Sequence, residues 1–71
     1  MVNVIITVYL ARERKEKTIE LNQNSTVQDL VKRLNLTVQG AVVLRDGLPV
    51  LEEERLIDGE RLIVVQTASG G

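Results

Sequence analysis

The chain has no cysteine, no histidine, no tryptophan and no phenylalanine, and a single proline and a single tyrosine in 71 residues. Without cysteine there is no disulfide, no thiolate metal site and no thiol nucleophile. Without histidine the commonest general base and the commonest metal ligand are both missing. An active site of its own is therefore not expected, nor a resident metal or cofactor. No apolar run, Leu62-Ile63-Val64-Val65 included, approaches the length of a membrane span or a signal-peptide core. The charges nearly cancel, with 9 basic and 10 acidic side chains for a net charge of −1. That balance gives no basic footprint for nucleic acid and no acidic tail. The expectation is a soluble, cytoplasmic monomer. A chain this short makes one small domain, in which roughly 60% of the unfolded surface can be buried.

What is present is strongly patterned. Val2 to Leu10 alternates, with Val2, Val4, Ile6, Val8 and Leu10 on one parity, which predicts a β-strand. The charged run Ala11 to Lys17 reads as a hairpin loop with its strand starts, and Thr18-Ile19-Glu20-Leu21 as the returning strand. Ser25 and Gln28 have the spacing of a capping box. Val27, Leu30, Val31 and Leu34 then form the apolar stripe of a helix of about ten residues ending near Asn35. Ala41 to Arg45 is a third strand, closed by an Asp46-Gly47 turn. Leu48-Pro49-Val50 is a short piece that Pro49 confines to an edge. Leu56-Ile57 is expected to tuck inward, Asp58-Gly59 to turn, and Arg61 to Gln66 to form the last strand. Strands before and after a single helix give an α+β domain of four to five strands. The first and last strands lie parallel at its centre, and the helix covers one face.

One short helix covers one face only. Yet the last strand is apolar on both parities, and the first places Ile5 and Tyr9 opposite its core residues. If Val4, Ile6, Val42, Leu62 and Val64 meet the helix, then Val43, Ile63 and Val65 gather on the open face. Contiguous apolar surface marks a docking site; β-branched residues also populate exposed strand positions by propensity alone. Both readings stand at this level.

The remaining reactive group is the carboxylate of Gly71. The expected division is a domain over residues 1–66 and a flexible tail over residues 67–71 that finishes in Gly70-Gly71. Five free residues reach roughly 16–18 Å, and glycine, lacking Cβ, can thread a narrow channel. A partner can thus grip the folded body while the terminal carboxylate meets an activated phosphate. An acyl-adenylate formed there has a good leaving group and can accept sulfur or an amine.

Three blocks carry a resemblance that spans the whole chain: Val42 to Val50, Leu56 to Val65, and Ser69-Gly70-Gly71. Together they resemble the ubiquitin-like β-grasp family, in its branch of sulfur carriers and archaeal small modifier proteins. The resemblance implies that Gly71 is adenylated by a ubiquitin-activating-like enzyme that uses ATP. It is then converted to a thiocarboxylate, or joined to a target-protein lysine, with Gly70 threading the active site beside it. Val43, Ile63 and Val65 match the positions by which the family docks on partners. A sulfur donor or acceptor enzyme is a further implied partner, in tRNA thiolation or in molybdopterin- or thiamine-type cofactor synthesis. Glu60 stands where the family more usually has Asp. The chain also lacks an aromatic residue between Pro49 and Asp58, which moves it towards the archaeal modifier type. A non-covalent binding module with an incidental Gly-Gly end is the alternative.

Other features have plainer readings. Lys15, Lys17 and Lys32 are surface lysines that can accept a modifier. Glu52-Glu53-Glu54 is a solvated run that can also meet a cation or a basic groove. Asp46 and Asp58 precede turn glycines, where Asp bonds its own backbone, and are not a catalytic pair. Glu13 and Glu16 interrupt Arg12 and Arg14, which spoils a phosphate-binding patch.

Overall fold

The computed structural model describes residues 3–36 and 40–66. Five strands and one helix follow in the order β1 (Asn3–Leu10), β2 (Lys15–Asn22), α1 (Val27–Arg33), β3 (Ala41–Arg45), β4 (Leu48–Pro49) and β5 (Arg61–Gln66). They form one mixed sheet in the order β2-β1-β5-β3-β4. β1 and β5 are parallel neighbours near its middle, with Val8 beside Leu62 and Leu10 beside Val64. This is the expected α+β arrangement. Val2, at the start of the predicted first strand, lies outside the described residues.

Alternation explains the core. Val4, Ile6, Val8 and Leu10 of β1, and Leu62 and Val64 of β5, are all buried against Val27, Leu30 and Val31 of α1. Leu56 closes this core from the 51–60 connection, while Ile57 points to solvent; only the first of that pair tucks inward. β2 is longer than the Thr18–Leu21 expectation. Its charged first half pairs with β1 along the full ladder, Leu10 opposite Lys15, and charge on an edge strand discourages further pairing.

The helix starts one residue later than expected. Ser25 is held by the sheet side of the molecule: its N–H donates to the Asn22 carbonyl, and its carbonyl accepts the Leu56 N–H, both at 3.0 Å. Thr26 is the N-cap instead, and its N–H donates to Asp29 Oδ2 at 2.9 Å. A carboxylate in the first turn also complements the helix dipole, which Gln28 cannot do. The far end is closed by Asn35 at φ 62°, with the N–H of Leu36 on the Val31 carbonyl and that of Asn35 on the Lys32 carbonyl. This left-handed cap ends the helix after seven residues rather than ten.

The two turns differ in how they are held. Asp46 and Gly47 both have positive φ, 54° and 81°, the conformation of a tight hairpin turn. Asp58 does not bond its own backbone. Its Oδ1 accepts the Ile5 N–H at 2.8 Å, and the Gly59 N–H donates to the Ile5 carbonyl at 2.8 Å, so this turn is stitched to β1.

Candidate functional site

The face of the sheet away from α1 is built from the second parity of each strand. Tyr9, Ile63 and Leu44 lie in one row, through the pairs Tyr9–Ile63 and Leu44–Ile63, and Val65 lies opposite Val42. Ile63 and Val65 are 36% and 37% exposed, Val42 39% and Ile5 48%. Tyr9, Leu44, Ile63 and the turn residues Asp46 and Gly47, with Arg61, enclose a shallow recess of about 480 Å³. Arg61 is held at its margin by Glu16, Nη2 to Oε2 at 2.9 Å.

Ile63 and Val65 therefore occupy the open face, and Val43 does not. Val43 is 4% exposed and belongs to the core, paired with Val64. Val42 takes the open-face position that the sequence reading gave to Val43. The cause is register: moving a strand by one residue exchanges its faces. In Ala41-Val42-Val43-Leu44 both parities are apolar, so alternation cannot choose between them. The Asp46-Gly47 turn chooses, because a two-residue loop fixes Arg45 opposite Leu48 and brings the Val50 N–H onto the Val43 carbonyl at 3.0 Å. Val50 packs against the core, and Val43 follows it inward. Val43→Ala is accordingly expected to cost about 2 kcal/mol of stability, and Val42→Ala less than about 0.5 kcal/mol. Urea unfolding of the two variants measures the difference.

The sequence marks Glu60 only as a glutamate where the family more usually has Asp. In the structure it holds the 51–60 connection to the sheet. Arg45 Nε donates to Glu60 Oε1 at 2.7 Å and Arg45 Nη2 to Oε2 at 3.1 Å, while the Ile57 N–H donates to Oε2 at 2.6 Å. Arg45 also reaches Glu54 Oε1 at 3.4 Å and the Arg55 carbonyl at 3.1 Å. The hydrogen bond to Glu60 holds the Arg45 guanidinium pKa above its ordinary value, against the desolvation that lowers it. An aspartate at position 60 is one methylene shorter, so the bidentate contact explains the glutamate. No spacing rule links residues 45 and 60, so nothing in the sequence pointed to this pair.

The carboxylates behave as structural groups. Asp58 caps β1, and Glu54 accepts the Leu51 N–H and pairs with Arg45. Glu52 and Glu53 are exposed. Among the described residues no group of three acidic side chains is arranged to hold a metal, and no helix is long and apolar enough to cross a membrane. Gly70 and Gly71, with the rest of residues 67–71, lie outside the described residues.

The backbone matches ubiquitin-like structures over nearly its whole length. The ubiquitin-like domain of Plasmodium falciparum Dsk2 superposes with a TM-score of 0.76 at 19% identity, covering 93% of this chain and 100% of that one. Caldiarchaeum subterraneum ubiquitin gives 0.74 at 16% identity, covering 99% and 100%. A ubiquitin-like domain from Arabidopsis thaliana gives 0.75 at 15%, covering 96% and 81%. Identities this low establish the fold, and the sequence family is fixed separately. The model of small archaeal modifier protein 2 matches residues 3–67, from the first described residue of β1 to just beyond the end of β5. This ubiquitin-like β-grasp chain belongs to the small archaeal modifier protein 2 family.

Proposed function

We propose that Gly71 presents its carboxylate for ATP-dependent activation by an adenylating enzyme. The carboxylate attacks the α-phosphate of ATP, pyrophosphate leaves, and the acyl-adenylate so formed loses AMP to an incoming nucleophile. Sulfur as nucleophile gives a thiocarboxylate for tRNA thiolation or for molybdopterin- or thiamine-type cofactor synthesis. A lysine amine gives an isopeptide-linked target. The folded body to Gln66 serves as the grip and residues 67–71 as the reach, with Gly70 and Gly71 narrow enough to enter a channel. The chain supplies no catalytic side chain, and the reaction takes place in the cytoplasm with ATP held by the enzyme. Ile63 and Val65, joined by Val42 in place of Val43, form the docking face for that enzyme.

The observation that carries this reading is the family match, which stops at residue 67, followed within four residues by Gly70-Gly71. The open apolar face supports partner binding in either version, including a purely non-covalent module. Conjugation separates the two. Arg61 is the last basic residue of the chain, so trypsin leaves a branch running from Leu62 to Gly71 on any modified lysine. Peptide mass spectrometry of proteins from the source cells is expected to find that branch on lysines of other proteins, or the chain itself as its thiocarboxylate. Finding neither would leave the non-covalent module.

A further inference from the structure

The parallel pairing of β1 and β5 sends both strands out of the sheet at the same margin. Leu10 lies beside Val64 at that margin, and the Ala11 N–H donates to the Val64 carbonyl at 3.0 Å. The β1–β2 turn therefore stands next to the point where β5 ends and the reach towards Gly71 begins. Ala11, Arg12, Val65 and Gln66 line a shallow recess there of about 410 Å³. Val65 also belongs to the open face, so the recess continues that face to the end of β5.

Charge is unevenly placed around this margin. Arg12, Arg14, Lys15 and Lys17 have no ion-pair partner among the described residues. Against these four cations stand Glu13 and Glu16, and Glu16 is taken by Arg61. The other end of the sheet carries Asp46, Asp58 and Glu60, the last engaged by Arg45. A chain of net charge −1 thus shows an unneutralised basic margin where its working end departs.

We infer that the β1–β2 turn is an electrostatic contact for the protein that charges the chain. In this contact Arg12 and Arg14 meet an acidic patch beside the channel that receives Gly70 and Gly71. An apolar side chain of the same partner fills the recess over Ala11 and Val65. Exposed cations of this kind raise the encounter rate with an oppositely charged surface and lose that effect as salt screens them. The inference rests on the proposed activation of Gly71 and names the chemistry of the surface that performs it.

The test is ATP–pyrophosphate exchange catalysed by the adenylating enzyme of the source cells, with the carrier chain varied. The Arg12→Glu/Arg14→Glu double variant is expected to raise the carrier's KM at least tenfold, with kcat within about twofold. Arg12→Lys/Arg14→Lys restores the wild-type KM. Glu13→Arg lowers KM, a change that loss of structure cannot produce. The wild-type advantage over the double variant shrinks as salt is raised. Thermal unfolding of each variant confirms an intact body. If wild type is charged and neither Glu13→Arg nor the double variant shifts KM, the inference is overturned and the activation of Gly71 stands. If wild type supports no exchange at all, both fall.

Discussion

Deleting Gly71 will lower charging of the chain by more than about 10³-fold while leaving its unfolding transition where it was. The shortened chain still ends in a glycine carboxylate, that of Gly70, so charge and chemistry at the terminus are conserved. Its reach is shorter by one residue, roughly 3.3–3.6 Å. A misplacement of about 1 Å can already cost about 10²-fold in rate when a reaction depends on positioning. The loss is expected in kcat, because the proposed docking face of Ile63, Val65 and Val42 is untouched. Stability is expected to stay within about 0.5 kcal/mol, since among the described residues every buried core residue lies between Val4 and Val64. Pyrophosphate exchange and a thermal melt on the same sample read both halves. A shift in the melt would place residue 71 in the structure of the body instead.

Leu62→Ala will do the reverse, removing the body and with it every function. Leu62 is fully buried on β5, between Val8 of β1 and the neighbouring strand β3. Leucine-to-alanine changes at such positions cost about 2–5 kcal/mol, the lost transfer energy plus the cavity left behind. A domain below about 70–80 residues rarely has more than about 3–5 kcal/mol in total. The variant is therefore expected to lose its cooperative urea transition, or to keep a remnant at very low denaturant. Ile63→Ala, one residue on and on the opposite face, is expected to keep the transition and weaken docking alone. Circular dichroism during urea titration of the pair gives the comparison. Equal losses would mean that the open face is not free of the fold.

How far the sequence reached depends on how unequal its parities were. β5 is apolar on both parities and takes its faces from pairing with β1, Val8 beside Leu62 and Leu10 beside Val64. β1 was legible because Asn3 and Thr7 make its second parity the more polar one, and the helix stripe Val27, Leu30, Val31 supplied the opposing wall of the core. β3 was not, because Val42 and Val43 are the same residue type at adjacent positions. Their assignment depends on a turn and on Val50, which lie outside the strand. The sequence reading starts the helix from Ser25 with Gln28, whereas the structure uses the frame one residue on, Thr26 with Asp29, which that reading does not weigh. The hydrogen bond from Leu56 to the Ser25 carbonyl, a contact distant in sequence, favours the second. The Arg45–Glu60 clamp is likewise a long-range pair that no periodicity announces. The reading of Gly70-Gly71 rests on residue type alone and on no contact among the described residues.

The most direct test is the intact mass of the chain isolated, unboiled and unreduced, from its own cells. The account predicts a species ending at Gly71, accompanied by a second species heavier by the difference between a sulfur and an oxygen atom. That second species reverts to the first on hydrolysis. A chain that continues past Gly71, or one that carries only an unmodified carboxylate in cells that also lack its lysine-linked branch, would contradict it.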